Sequence, residues 1–309
     1  MKVEQKLQII RRLLGFTQER LAKELGTSFV TLNSWINGRS FPRKKAEDRI
    51  DELYKRCTGQ NIIPADFLDA KKKLITDKSR HYKNILKHIF SRQDILDQLM
   101  LSVTYHSNSI EGSTLSENET AQILFENRSL PNKTLIEQME AKNHQAAFQY
   151  LLQYIAGKGA IDEALILKLH SMLMNGIRDD AGFYRRHNVR IVGSNVPTAN
   201  YIKVPALMTE IVDSISTGEK DFISHIAMIH SRFEQIHPFP DGNGRIGRLL
   251  MIAMLLKNNL PPAIIRQEKK QFYYVSLRKA QLENDTTQLQ DFLCDAVLEG
   301  AEILDFYDL

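Results

Sequence analysis

Apolar residues return every three or four positions along most of this 309-residue chain, the period of a helix face and not of a strand. The pattern runs through residues 7–14, 21–25, 85–100, 161–174, 222–236 and 246–256. One stretch departs from it. In "NVRIVGSNVPTANYIKVP", residues 188–205, apolar and polar residues alternate around Gly193 and Pro197, which predicts a short β-hairpin. The expected fold is therefore all-α with one small hairpin. The length allows a substantial core and about two domains. No apolar run approaches the roughly 20 residues that span a bilayer, and "MKVEQKLQII" is too charged for a signal peptide. Cys57 and Cys294 are the only cysteines and have no metal-ligand spacing. A reduced, cytoplasmic protein without membrane association is expected.

Charge divides the chain. Residues 1–93 hold 21 Lys and Arg against 10 Asp and Glu, and residues 94–309 hold 20 against 27. A head of +11 thus precedes a body of −7, and a basic head suits a polyanionic partner. Within the head, "FTQERLAKELGTSFVTLNSWINGRSFP" contains two short helical patterns joined at Gly26. Thr17 is placed to cap the first, while Leu21, Ala22 and Leu25 form its apolar face. Val30, Leu32 and Trp35 are read as the apolar face of the second, which Gly38 ends. Two short helices across a glycine turn make a helix-turn-helix.

The second interruption of the helical pattern is "HPFPDGNGRIGR", residues 237–248. Pro238 and Pro240 stop the helix before it. Asp241, Gly242, Asn243 and Gly244 turn tightly into the next helix, whose N-terminus offers unpaired N–H groups and a dipole suited to an anion. Arg245 and Arg248 share a face of its first turn and add phosphate donors. Asp241 beside such a nest has the chemistry of a Mg²⁺ ligand. His237 can take a proton near neutral pH. Together these groups describe a site of phosphate-group transfer onto a hydroxyl.

Both segments carry family resemblances. The TQ-x-x-LA-x-x-LG-x-S spacing followed by "WINGR" resembles the phage-repressor type of helix-turn-helix, whose second helix enters the DNA major groove. By position, Ser28, Phe29, Thr31, Asn33 and Ser34 would face bases. Arg39 is grouped with them, and it could reach phosphates with Arg43, Lys44 and Lys45. His237-Pro238-Phe239-x-Asp241-Gly242-Asn243-Gly244-Arg245-x-x-Arg248 resembles the Fic-domain signature at every fixed position, and the similarity extends over roughly residues 95–300. It implies a helical Fic fold and transfer of AMP from ATP to a Ser, Thr or Tyr hydroxyl of a target protein. His237 would be the general base and Asp241 the Mg²⁺ ligand. Gly242, Asn243 and Gly244 would form the anion hole, and Arg245 and Arg248 would hold the outer phosphates. Phe239 is read as a core anchor, and His225 and His230 as non-ligands.

The same resemblance assigns three further groups. Ser107, Glu111 and Gly112 fit an inhibitory pattern in which the glutamate pairs with the last arginine, here Arg248. The 188–205 hairpin resembles the Fic flap, and Ile191, Val192 and Gly193 would offer a strand edge to a target. Tyr273 and Tyr274 are candidates to wall the adenine pocket, one of them being expected in the core. The resulting division is a helix-turn-helix domain over 1–60, a basic helical connector over 61–94, and a Fic domain with its inhibitory helix over 95–309. Three alternatives stay open: a DNA-binding regulator whose Fic body senses nucleotide, removal of AMP, and transfer of another phosphate-containing group. Association into a homodimer is also left open.

Overall fold

A computed structural model describes residues 1–191 and 193–305. Helices α1 (Val3–Leu14), α2 (Gln18–Glu24), α3 (Phe29–Ile36) and α4 (Lys44–Thr58) form the N-terminal group. Then follow α5 (Ala65–Ser79), α6 (Ile85–Ser91), α7 (Gln93–Glu111), α8 (Glu117–Phe125), α9 (Leu135–Ala156) and α10 (Glu163–Leu173). The chain closes with α11 (Val204–Thr217), α12 (Phe222–Ile236), α13 (Asn243–Lys257), α14 (Lys270–Glu283) and α15 (Thr287–Asp305). The expected helix over 85–100 is two helices, because Arg92 has extended backbone angles (φ −128°, ψ 100°) and resets the direction of the chain.

Helix α13 sits at the centre. Thirteen of its fifteen residues, from Asn243 to Leu256, are buried, and α7, α9, α10 and α12 pack around it. A helix apolar on every side must lie inside the molecule, so the arginines at its N-terminus are drawn inward with it. Most buried apolar side chains form one cluster running from Leu7 in α1 to Leu304 in α15, and Leu115, Ile123, Leu124 and Ala141 form a smaller second one.

Thr17 caps α2 by accepting from the Arg20 amide at 3.2 Å. Leu21, Leu25, Leu32, Trp35 and Ile36 close the small core of the helix-turn-helix. Val30 does not join them. It is 75% exposed, because it lies two positions from Leu32, about 200° around the helix. Helix α4 ends at Thr58, with Gly59 left-handed at φ 75°. Gln288 of α15 donates to the carbonyls of Gly59 (2.9 Å) and Asn61, and the Arg56 guanidinium lies 4.3 Å over the Phe272 ring. The lysines of α5 reach acidic groups of the body: Lys71 meets Asp291 and Asp295 at 2.7 Å, Lys72 meets Asp221 at 2.6 Å, and Lys78 meets Asp305 at 2.7 Å.

The structure does not show the predicted hairpin. Among the described residues there is no strand, and the arms of 188–205 form no ladder. A side chain takes its place: the Thr198 hydroxyl donates to the Val189 carbonyl at 2.7 Å. The returning arm turns helical at Tyr201, where the Asn200 carboxamide caps a 3₁₀ turn that leads into α11.

Candidate active site

Helix α12 ends where His237 turns left-handed (φ 54°, ψ 60°) and its amide donates to the Phe233 carbonyl. The imidazole Nδ1 lies 3.2 Å from the Glu234 carbonyl. A carbonyl only accepts, so Nδ1 carries the proton and Nε2 keeps its lone pair. Burial lowers the imidazole pKa below 6.5, partly offset by the Glu234 carbonyl, and the nearby Arg185 charge lowers it further.

The turn that follows is tied at several points. Asn243 accepts from the Phe239 amide (2.8 Å) and donates to the Phe239 carbonyl (2.9 Å), so its carboxamide closes the loop and only its backbone N–H remains for an anion. The ring of Phe239 stacks on His170 at 3.8 Å, nearly parallel at 7°. His170 Nδ1 accepts from the Gly182 amide at 2.8 Å, so its Nε2 donates to the Asp241 carbonyl at 3.1 Å. Gly242 is left-handed at φ 79°, and a Cβ there would strike the Met174 side chain. Glycine is required on both counts. The amides of Asn243, Gly244 and Arg245 then open the helix without intrahelical acceptors, and the Asp241 carboxylate accepts from the Gly242 amide at 2.6 Å.

Arg185 lies outside the twelve-residue motif. It is 3% exposed. Its guanidinium donates to the carbonyls of His237 and His187 at 2.7 Å, of Ile236 at 3.2 Å, and of Ala199. One side chain thus fastens the His237 corner to the base of the 188–205 segment. Of the docking candidates on that segment, Ile191 is half-buried and Gly193 exposed; Val192 lies outside the described residues.

The two arginines of α13 are both paired. Arg245 meets Glu140 of α9 at 2.7 Å and lies 3.6 Å from Asp241. Arg248 is 5% exposed. It donates through Nε to the Ser107 hydroxyl (2.9 Å) and through Nη2 to the Ser107 carbonyl (3.0 Å) and the Glu111 carboxylate (2.7 Å). Burial pushes the Glu111 carboxyl up, but the charge and hydrogen bond of Arg248 outweigh it and hold the group below its ordinary range. Gly112 follows at φ 109° and ends α7. A Cβ on Gly244 would meet the Glu111 carboxylate, so the glycine of the nest also admits Glu111.

Beneath this pair lies Glu234, 6% exposed, with Oε1 among the buried atoms lacking a hydrogen-bond partner. Burial raises its pKa to about 8 against the pull of Arg248. The Tyr273 hydroxyl and His230 Nε2 are 2.7 Å apart in the core. Tyr273 is 1% exposed and lies in the core, whereas Tyr274 is 36% exposed and reaches the Ile110 carbonyl at 3.5 Å, beside Glu111. His225 is buried like His230, and neither belongs to a metal-ligand cluster among the described residues.

The polar candidates of α3 bond side chains and amides nearby in sequence. Ser28 accepts from the Thr31 amide at 3.1 Å and shares a 2.8 Å hydroxyl contact with Thr31. Asn33 accepts from Asn37 at 2.8 Å, and Ser34 meets Ser40 at 2.8 Å. Phe29 is 43% exposed, and Arg39 is exposed.

Comparison with known proteins places these features. The Fic/DOC family pattern matches residues 160–255, and the helix-turn-helix pattern matches residues 7–46. A protein adenylyltransferase Fic from Nematostella vectensis is 32% identical over 251 residues, covering 78% of this chain and 53% of that protein. A protein adenylyltransferase fic-1 from Caenorhabditis elegans is 32% identical over 207 residues, 64% of this chain and 40% of that protein. The chain thus spans about half or less of these relatives. The fold resembles that of a Fic-domain-containing signaling protein from Bacteroides thetaiotaomicron (TM-score 0.68, 23% identity, 76% of this chain and 97% of that one). It also resembles Fic-1 from C. elegans (TM-score 0.66, 22% identity, 93% and 84%). The chain carries a Fic/DOC-family domain over residues 160–255, behind a helix-turn-helix over residues 7–46.

Proposed function

We propose that the protein is a self-inhibited adenylyltransferase that moves AMP from ATP to a Ser, Thr or Tyr hydroxyl of a target protein, and that residues 1–60 bind DNA. The observation that carries the enzymatic reading is the contact of His237 Nδ1 with the Glu234 carbonyl, which leaves Nε2 available to accept a proton just ahead of the N-terminus of α13. The α-phosphate would rest on the amides of Asn243, Gly244 and Arg245, where charge grows during transfer. His237 Nε2 takes the proton of the target hydroxyl as its oxygen bonds the α-phosphorus. The bond to the bridging oxygen of the β-phosphate breaks, and pyrophosphate leaves. Asp241 supplies one half-exposed carboxylate at the nest (side chain 55% exposed), which suits a Mg²⁺ ion whose other ligands are phosphate oxygens and water. Such an ion would neutralise phosphate charge.

Glu111 is the brake in this reading. It fills the Arg248 fork that an outer phosphate would use and sets a negative charge where that phosphate would lie. Arg245 would exchange Glu140 for phosphate. The basic composition of the head and its helix-turn-helix match support the DNA reading.

The test is incubation of wild type, Glu111→Gly and His237→Ala with α-labelled ATP and a cell lysate. Glu111→Gly is expected to label itself or lysate proteins at least about tenfold faster than wild type, roughly 1.4 kcal/mol of relieved inhibition. His237→Ala, placed in the Glu111→Gly background, should label nothing. Equal labelling by wild type and Glu111→Gly would remove the brake, and labelling without His237 would remove the proposed base.

A further inference from the structure

Helix α3 presents an unusual face for a helix meant to read bases. Its polar candidates are engaged locally: Ser28 with Thr31, Asn33 with Asn37, Ser34 with Ser40. What stands free at its N-terminal turn is apolar, with Val30 75% and Phe29 43% exposed. Both lie on the helix that enters the groove in such a motif, in the turn nearest the base edges. Charge beside this face is mainly basic, although Lys44 pairs with Asp48 at 3.1 Å. Residues 27–46 contain Arg39, Arg43, Lys44 and Lys45 and no acidic residue, and all four basic side chains are exposed. An apolar tip flanked by exposed cations matches a duplex whose phosphates meet the rim while an apolar base feature meets the tip.

The major groove offers one such feature, the 5-methyl group of thymine. We propose that α3 reads its operator through thymine methyls packed against Val30 and Phe29, with the Asn33 and Ser34 side chains contributing little direct base contact. The proposal rests on the DNA-binding reading above and specifies what that binding recognises. Val30 and Phe29 would be desolvated against methyl groups, and Arg39 and Arg43 would fix the register on phosphates.

The full chain is used to select duplexes from a random pool, and affinities are then measured with dT replaced by dU one position at a time. Losing one packed methyl should weaken wild-type binding about fourfold at one or two positions of the selected site. Val30→Ala or Phe29→Ala should bind dT and dU duplexes alike at the matching position. Both residues are surface positions, so unchanged thermal unfolding confirms that the variants are folded. A selected operator that tolerates dU at every position would overturn the methyl readout while leaving DNA binding in place. Failure to bind any duplex would overturn both. A self-association that Val30→Ala abolishes, with no duplex bound, would assign this face to a second copy of the chain instead.

Discussion

Glu234 and His237 stand three residues apart on either side of a helix end, and burial moves their protons in useful directions. His237 is pushed below 6.5, so its neutral, base-competent form persists at pH values where a solvated histidine would be charged. The free enzyme should then lose activity only below the lowered value. In the Glu111→Gly background, the acid limb of kcat/KM against pH is expected to have its midpoint below 6.5. Removing Glu111 takes away a charge that raises the His237 pKa, which moves the midpoint further the same way. A midpoint at or above 6.5 would count against His237 as the base. Glu234 moves oppositely, from 4.5 to about 8. The folded chain therefore keeps a proton that the unfolded chain releases in this window, and stability falls as pH rises from 4.5 to about 8. Glu234→Gln mimics the protonated acid and removes that loss. Its Tm should match wild type near pH 5 and exceed it by at least about 2 °C near pH 8. A constant difference across that range would show that Glu234 is not held neutral.

At the scale of elements, the loop between α12 and α13 is held by parts far away in sequence. Arg185 binds four carbonyls from two segments, whereas α13 is anchored separately through Asn243, Phe239 and His170. Lysine cannot reproduce the planar fork. Arg185→Lys, in the Glu111→Gly background, is expected to cut AMP transfer at least about tenfold, the effect of roughly 1.4 kcal/mol, and to leave ATP affinity by calorimetry within about twofold. Parallel loss of both would mean that the clamp holds the whole site. This division also explains what the sequence made legible. The twelve residues from His237 to Arg248 could be read because turn, nest and helix start are local, whereas the Ser107–Glu111 pattern was legible only through the family resemblance. Arg185, Glu140 and His170 escaped because their partners lie 52, 105 and 71 residues away. Arg185 left only a weak trace, a basic pair in "FYRRHN" between two turns. The 188–205 alternation misled because a period of two also fits a loop whose arms are joined by the Thr198 side chain and not by a ladder. Val30 is apolar yet faces outward, because two positions along a short helix put it about 200° from Leu32.

Across the whole molecule, the +11 of residues 1–93 separates into two populations of positive charge. Lys71, Lys72 and Lys78 of α5 are paired with Asp291, Asp295, Asp221 and Asp305 of the body. Lys71 and Lys72 are only 16% and 17% exposed in their side chains. They join connector to body and are poorly placed to release counterions from a polyanion. Arg39, Arg43, Lys44 and Lys45 are exposed around α3 and the start of α4. Sequence charge alone could not separate the two, since both groups follow the same basic composition. Salt dependence can. Each phosphate contact contributes about 0.9 to the slope of log Kobs against log salt. Arg39→Gln and Arg43→Gln should each lower the slope for duplex DNA by about one, with little effect on thermal unfolding. Lys71→Gln should leave the slope unchanged and lower the Tm instead, because it strands two half-buried aspartates that share one cation. If Lys71→Gln flattened the salt dependence as much as Arg43→Gln, the connector too would lie on the DNA, and its ion pairs with the body would have to open whenever the head binds.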